Sequence, residues 1–311
     1  MLTTRFTELI GCALPLQQAG MGGVATADLA RAVSEAGALG MIGAAMVPAA
    51  QLAQTLVDLP SPVGVNFLMP FVDTDAVEAA AGAATLVEFF YGDPDPALVE
   101  RVHKNGNAKA AWQVGDADEA RRAEQAACDL IVAQGVEAGG HVRGTIGLLP
   151  LLDGVLDAVG DQIPVVAAGG IGTAKAVKAV LAAGADAARI GTRFVAAEEA
   201  DTHPEYAQAL VDAGPDDTVL TTAFGVMWPD APHRVLKSCV DAAGQFAEGD
   251  AVGELVMGEV RMPLPPFAVP CPGRTTTGTV KAMALYAGQS VGAVTKRQPA
   301  VEIVRELTAD L

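Results

Sequence analysis

Short apolar runs alternate with alanine-rich amphipathic stretches along the first two thirds of the chain. Most of the runs begin roughly 20 to 25 residues apart, the length of one strand, one helix and two loops. Thr26, Asp116 and Thr173 stand before amphipathic stretches, where such side chains commonly cap helices. The predicted strands span residues 14–18, 39–43, 63–67, 86–90, 109–113, 130–134, 165–168 and 187–190.

Eight strand–helix units without a shared side-chain signature favour a closed barrel over a solenoid. We therefore predict an α/β fold, a (β/α)8 TIM barrel. The pattern breaks after about Glu198, and residues 212–274 show helical stretches, many prolines and no strand-sized Val/Ile run. This segment predicts a smaller, mainly helical cap inserted after the eighth strand. Residues 1–211 and 275–311 would then form the barrel domain, the last part as a closing helix interrupted at 288–292.

Composition and charge narrow the classes of partner. Of the 311 residues, 51% are hydrophobic and only 5% aromatic, so a large core of Ala, Val, Leu and Ile is expected. A formal charge of -17 disfavours nucleic acid and anionic membranes as partners. The four cysteines are scattered without metal-site or disulfide spacing, and the polar amino end lacks a signal-peptide core. A cytoplasmic protein without a metal site is the expectation.

Candidate chemistry falls at the carboxyl ends of the predicted strands, where TIM barrels place their active sites. Asn66, Gln113 and Gln134 each bring a side-chain amide to a strand end. Such groups lower stability when they are buried without a partner, which argues for a ligand. After the sixth strand, residues 133–144 combine four glycines with Glu137, His141 and Arg143. A histidine exchanges protons near neutral pH, so this loop is the leading candidate for catalysis.

Two glycine-rich loops follow the seventh and eighth strands. Gly169, Gly170 and Gly172 precede Thr173, and Gly191 with Thr192 forms the second loop. In barrels, loops at these places bind phosphate through free N–H groups and a helix amino end. A phosphate site beside several amides suggests flavin mononucleotide (FMN). A sugar phosphate is the competing ligand, but its chemistry usually requires Lys, Asp or Glu at strand ends, where amides dominate here.

Taken together, the strand-end motifs resemble those of the nitronate monooxygenase family, formerly called 2-nitropropane dioxygenases. The resemblance covers nearly the whole chain and implies a TIM barrel with a helical cap and non-covalent FMN. It implies oxidation of alkyl nitronates with O2 to a carbonyl compound and nitrite. The motifs lie, in family order, at residues 17–21, 64–66, 134–141, 167–171, 191–194 and 286–290.

The resemblance and the strand-end positions together give a candidate site. His141 would act as the base for neutral nitroalkanes or would bind the nitronate anion. Tyr286, Trp228 and Met21 would line the substrate pocket, although core packing is an equal or stronger alternative for Tyr286 and Trp228. The expected flavin contacts are Gln18, Ala19, Gly20, Met21, Asn66, Gln113, Gln134, Gly135, Gly140, Ala168, Gly169, Gly170, Gly191, Thr192 and Gln289.

Two residues of the histidine loop have open roles. The family often has glycine close behind the histidine, whereas Val142 and Arg143 stand here before Gly144. Arg143 would contact a substrate anion or, the favoured alternative, carry a surface charge. Glu137 would orient the loop through backbone N–H groups rather than touch substrate.

Alternative functions remain open at this stage. Related flavoenzymes reduce quinones or enoyl-acyl-carrier-protein thioesters with NAD(P)H, and a non-catalytic flavin-binding protein is a third class. A small-molecule substrate and O2 are the expected partners, with homodimer formation left open.

Overall fold

Parallel strands form the centre of this protein in a computed structural model, which describes residues 2–247, 249–257 and 260–311. All eight predicted barrel strands are confirmed, with ends shifted by at most two residues. The two-residue strand β7 lies outside the barrel. In chain order the strands are β1 (Leu16–Gln18), β2 (Gly40–Gly43), β3 (Val63–Leu68), β4 (Leu86–Phe90), β5 (Lys109–Val114), β6 (Leu130–Gln134), β7 (Gly140–His141), β8 (Val165–Ala168) and β9 (Ala187–Ile190).

The parallel sheet runs in the order β1-β9-β8-β6-β5-β4-β3-β2. Its two edge strands meet at a single parallel bridge between Gln17 and Leu39, so the barrel is nearly closed. We call the meeting of β1 and β2 the seam. It is the weakest join in the barrel because it lacks the continuous ladder of the other strand pairs.

The helices that surround the barrel follow from local sequence signals. The side chains of Thr26, Asp116 and Thr173 accept N–H bonds of the first helical turns, as predicted. The helices are α1 (Arg5–Ile10), α2 (Ala27–Glu35), α3 (Ala49–Val57), α4 (Thr74–Ala83), α5 (Pro96–Asn105), α6 (Ala117–Gln125), α7 (Leu148–Val159), α8 (Ala174–Ala182), α9 (Thr192–Val195), α10 (Pro204–Asp212), α11 (Lys237–Ala243) and α12 (Ala300–Leu307). None of the helices in the described ranges is long and apolar enough to cross a membrane.

Apolar side chains fill two layers. The larger core lies between the strands and the surrounding helices. The smaller core includes Leu39, Leu130 and Val166, and Phe6 and Ile10 of α1 pack into it. Arg5 of the same helix bonds Asp186, which stands just before β9, so α1 covers the amino ends of the strands. The opposite end, where the strands finish, is left for the site, and we call it the mouth.

The prediction of a mainly helical cap is wrong. Beyond α10 the described chain forms β10 (Thr218–Thr221), β11 (His233–Leu236), β12 (Gly253–Met257), β13 (Val260–Leu264) and β14 (Thr277–Gly278), with α11 as the one α-helix between residues 213 and 274. These strands are short and carry polar residues and proline, so no apolar run marks them. Antiparallel partners distant in sequence stabilise them, β11 pairing with both β10 and β7.

The closing helix predicted over residues 275–311 is also mostly wrong. Only α12 is α-helical there, and 280–282 and 289–293 form 3-10 turns. The division into domains at residues 211 and 275 stays a prediction.

A buried carboxylate joins strands on both sides of the seam. Glu88 of β4 is fully buried, and its Oε1 accepts from Arg189 Nη1 at 2.6 Å and Asn66 Nδ2 at 2.7 Å. Its Oε2 accepts from Gln17 Nε2 at 3.1 Å. The network thus joins β3 and β4 to β1 and β9 across the point where the backbone ladder is thinnest.

Removing the cation of this network should destabilise the barrel strongly. Arg189→Met leaves the Glu88 carboxylate buried without a counter-charge, and we expect the free energy of unfolding to fall by about 3 kcal/mol. The double variant Glu88→Gln/Arg189→Met removes both charges and should recover most of that loss. Urea unfolding followed by circular dichroism measures both, and equal losses in the single and double variants would contradict the network's role.

Candidate active site

The loop after β6 folds back over the mouth and places His141 at its centre. Gln134 ends β6, and its Nε2 donates to the carbonyl oxygen of His141 at 3.2 Å. His141 lies in β7, directly opposite His233 of β11. Gly139 is required because a Cβ there would lie 2.4 Å from the backbone nitrogen of Gly288. The β7 loop, the cap sheet and the carboxyl-terminal segment therefore meet at this histidine.

Aromatic rings enclose the imidazole of His141. Trp228 stacks on it with 3.9 Å between ring centroids and an interplanar angle of 18°. Tyr91 meets it edge-on at 5.7 Å, Tyr286 lies at 5.7 Å and His233 at 5.3 Å. We call these five side chains the aromatic cluster. For Tyr286 and Trp228, whose roles the sequence left open, the structure shows direct packing against His141.

Burial controls ionisation within the aromatic cluster. Loss of solvent, assisted by the neighbouring His233, lowers the pKa of His141 to about 3. Its Nε2 is buried, and no hydrogen-bond partner for it lies in the described part of the chain. Burial also raises the pKa of Tyr91 to about 12 and that of Tyr286 well above its usual value. At neutral pH the cluster holds a neutral imidazole with a free ring nitrogen beside two protonated phenols.

The two predicted phosphate loops lie together at the mouth. Gly169 and Gly170 adopt φ values of 106° and 68°, which favour glycine. A Cβ on Gly169 would approach the carbonyl oxygen of Gly135 to 3.0 Å. Gly191 faces the first loop of the barrel, since a Cβ there would lie 3.7 Å from Ala19 and 3.8 Å from Met21. The structure therefore brings together the loops after β1, β6, β8 and β9.

The strand-end amides differ in how many of their hydrogen bonds are already made within the protein. Gln18 is engaged by the backbone, because its Oε1 accepts from the nitrogen of Met41 at 2.8 Å and its Nε2 donates to the carbonyl oxygen of Ala19. Asn66 donates to Glu88, which leaves its Oδ1 for a ligand. Gln134 Oε1 is buried and has no partner among the described residues. Gln113 is buried at the end of β5. Gln134 therefore offers the clearest unmet acceptor.

The structure shows what Arg143 and Glu137 contact. Arg143 forms ion pairs with Glu119 of α6 and with Asp93 in the loop after β4, so it fastens the histidine loop to these two elements and is not a free surface charge. Both carboxylate oxygens of Glu137 lie 3.0 Å from the backbone nitrogen of Leu148, at the start of α7. Glu137 therefore contacts a backbone N–H group, as expected, while its lack of contact with substrate stays a prediction.

The carboxyl-terminal motif, residues 286–290, is hydrogen-bonded to the loops at the mouth. The nitrogen of Gln289 donates to the carbonyl oxygen of Glu137 at 2.9 Å, and that of Gly288 donates to Thr192 Oγ1 at 3.0 Å. Thr192 therefore binds this segment with its hydroxyl oxygen, while Gln289 contacts the histidine loop through its backbone.

Four residues of the site escaped prediction from the sequence. Glu88 and Arg189 each interrupt an apolar strand with a charge, a signal of a polar side chain inside the barrel. Tyr91 directly follows β4, at a strand end, but it is aromatic, whereas the predicted strand-end groups are amides and glycines. His233 lies beside a proline, which suggested only a structural role.

Comparison with known proteins assigns the family. The nitronate monooxygenase family model matches residues 3–108 and 63–310, together nearly the whole chain. The chain belongs to the nitronate monooxygenase family. It is therefore a flavin-dependent oxidoreductase.

Its relatives carry more than one activity in their names. A (3aS,4S,5R,7aS)-5-hydroxy-7a-methyl-1-oxo-octahydro-1H-indene-4-carboxyl-CoA dehydrogenase of Mycobacterium tuberculosis is 36% identical over 243 residues, covering 76% of this chain and 67% of that protein. A probable nitronate monooxygenase of Staphylococcus saprophyticus is 30% identical over 275 residues, covering 72% and 76%.

Solved structures match over the full length. FabK from Thermotoga maritima superposes with a TM-score of 0.80 and 28% identity, covering 99% of this chain and 95% of that one. A nitroalkane oxidase from Streptomyces ansochromogenes superposes with a TM-score of 0.75 and 30% identity, covering 98% and 97%. These neighbours confirm the TIM barrel.

The residues at the mouth fit a flavin. Gln134 Oε1 and His141 Nε2 are buried polar atoms without partners among the described residues, which suits the edge and the face of a bound ring system. Gly169 and Gly170 have φ values that favour glycine, and backbone N–H groups of such a loop are the groups that would bind a phosphate.

The lowered pKa of His141 has a consequence for stability. A folded pKa near 3 against about 6.5 in the unfolded chain means that only the unfolded state gains this proton as the pH falls from 6.5 towards 3. This group should therefore lower the free energy of unfolding by about 2 kcal/mol when the pH falls from 7.5 to 5. His141→Gln lacks the titration, so urea unfolding at both pH values should show a smaller loss in the variant. The same loss in both proteins would contradict a buried, neutral His141.

Proposed function

We propose that this protein is an FMN-dependent nitronate monooxygenase that oxidises small alkyl nitronates with O2 to a carbonyl compound and nitrite. The observation that carries the proposal is the position of His141 Nε2, which is buried among aromatic rings beside two phosphate-type loops and has no hydrogen-bond partner within the described part of the chain. A neutral imidazole can accept a proton from a carbon acid, and the negative charge that develops on the neighbouring nitronate raises the pKa of the imidazole as the proton moves.

FMN fits the mouth because the glycine loops offer one compact anion site. Gly169 and Gly170 follow β8, and Gly191 and Thr192 open the short helix α9 after β9. Backbone N–H groups at these loops would hold a terminal phosphate. Gln134 Oε1 and Asn66 Oδ1 would face polar edges of the ring. When bound, the flavin supplies electron transfer from the nitronate and the reaction with O2.

The chain's own residues handle the proton and exclude water. His141 Nε2 would take the proton from the carbon beside the nitro group of a neutral nitroalkane. The Tyr91 hydroxyl, which stays protonated, would donate to the nitro oxygens as negative charge develops there. The Tyr286 hydroxyl already donates to the carbonyl oxygen of Val269 at 2.8 Å, so this tyrosine serves as a wall. Trp228 covers the other face of the imidazole.

A flavin reductase acting on a CoA thioester is the second candidate. The relative with 36% identity is named a dehydrogenase of a carboxyl-CoA compound, and this resemblance favours it. The charges near the mouth argue against it. Arg143 is held by Glu119 and Asp93, and Arg234 donates twice to the carbonyl oxygen of Val136. Neither is free to bind the phosphates of a coenzyme A chain.

Oxygen consumption distinguishes the two candidates. The purified protein should take up O2 with ethyl nitronate, release nitrite and contain FMN that heat denaturation liberates. NADH under anaerobic conditions should bleach the flavin slowly, because nothing in the proposal requires a nicotinamide. Rapid bleaching by NADH together with turnover of an enoyl-CoA and no nitrite release would favour the second candidate. A protein that binds no flavin would exclude both.

A further inference from the structure

We propose that His233 is a positioning residue that locks the Trp228 loop over His141 and thereby limits the size of the substrate. The limit on substrate size rests on the proposed function, whereas the restraint of the loop does not. The Trp228 loop is the connection between β10 and β11, residues 222–232.

His233 ties both limbs of this loop with its two ring nitrogens. Nε2 lies 3.1 Å from the backbone nitrogen of Phe224, which donates to it. Nδ1 lies 2.8 Å from the carbonyl oxygen of Ala231. Trp228 stands between these two anchor points, so one fully buried imidazole spans the base of the loop that carries it.

The two partners fix the state of the His233 ring. Because the N–H of Phe224 can only donate, Nε2 must accept and cannot carry a proton. Because the carbonyl of Ala231 can only accept, Nδ1 must carry one. The ring is therefore neutral, and a charged His233 would lose the bond to Phe224. Such a ring suits a permanent clamp and leaves proton transfer to His141, whose Nε2 has no hydrogen-bond partner among the residues that the structure describes.

The clamp acts together with backbone hydrogen bonds from Val226 to Phe267 and from Val142 to Pro232, and it restrains a loop whose tip is exposed. Val226 and Met227 are 42% and 51% exposed, and Met227 and Asp230 adopt φ values of 83° and 57°, which side-chain-bearing residues rarely take. A main-chain bridge between Val226 and Ala268 is a second support. Trp228 is nevertheless only 8% exposed, since it packs on His141, Tyr91 and Phe71.

Replacing His233 tests the two halves of the clamp separately. In His233→Asn the amide nitrogen stands close to Nδ1 and retains the bond to Ala231. In His233→Gln the amide oxygen stands close to Nε2 and retains the bond to Phe224. His233→Phe keeps the ring and loses both bonds. His203→Phe is the matched control, because His203 also accepts one backbone N–H, at the start of α10 and away from the aromatic cluster.

The first readout is independent of catalysis. The chain has two tryptophans, and Trp112 is fully buried, so the fluorescence lost in Trp228→Phe isolates Trp228. Acrylamide quenching of that signal in the flavin-loaded protein should increase about fivefold in His233→Phe, and less in the Asn and Gln variants, as each keeps one hydrogen bond. An unchanged quenching constant in His233→Phe, or an equal increase in His203→Phe, overturns the clamp.

The second readout is selectivity. The ratio of kcat/KM for ethyl nitronate to that for a cyclohexyl nitronate should fall about fivefold in His233→Phe, chiefly through a lower KM for the larger substrate. A fall in kcat alone with an unchanged ratio overturns the size-limiting role. If the wild-type protein oxidises neither nitronate, the proposed function fails, while the quenching experiment still decides whether His233 clamps the loop. If His233→Phe does not fold, the Asn and Gln variants decide it.

Discussion

The buried Glu88 carboxylate is the interaction on which the rest of the structure depends. It accepts from Arg189, Asn66 and Gln17, and these partners belong to strands on both sides of the seam. A charge in this position is stable only while every partner is present, since an unpaired buried carboxylate is strongly unfavourable. The network therefore couples barrel closure to the positions of the strand ends. Asn66 takes part in the network and lies at the mouth, and Gln17 of the network directly precedes Gln18 at the end of β1. The closure of the barrel therefore also fixes the geometry of the site.

Above this network, exclusion of water controls the chemistry. His141 is neutral because the aromatic cluster and the two-residue strand β7 exclude water from its ring, and this burial lowers the pKa of His141 to about 3. The same enclosure keeps Tyr91 and Tyr286 protonated. In the proposed function, Nε2 of His141 among these rings would meet a small carbon acid. The glycine loops on the neighbouring strand ends would bind the phosphate of the flavin.

Most of the barrel was predictable because its signals are local. Buried parallel strands are continuous apolar runs between turns, and side chains such as Thr173 mark the helix starts. Parallel topology then places all strand ends on one face, so the grouping of Gln134, His141, Gly170 and Gly191 followed without knowledge of any contact. A backbone contact for Glu137 was expected from its glycine-rich loop, but the partner, the nitrogen of Leu148 at the start of α7, is known only from the structure.

The cap and its contacts were not predictable in the same way. β11 pairs with β10 and with β7, and β7 lies about eighty residues or more before both strands in the sequence. No local periodicity of the sequence indicates such pairing. Glu88 and Arg189 each place one charged residue in an apolar strand. Only the folded barrel shows that the two side chains form an ion pair. The clamp by His233 depends on the backbone nitrogen of Phe224 and the carbonyl oxygen of Ala231. The sequence alone does not predict that these two groups point towards the ring.

The most direct test of the central claim separates proton removal from oxidation in the variant His141→Ala. The account predicts that this variant retains its flavin and oxidises preformed ethyl nitronate, but loses at least about a hundredfold in kcat/KM with neutral nitroethane, the usual contribution of a general base. Equal losses with both substrates, or full activity with nitroethane, would contradict the assignment of His141 as the proton acceptor.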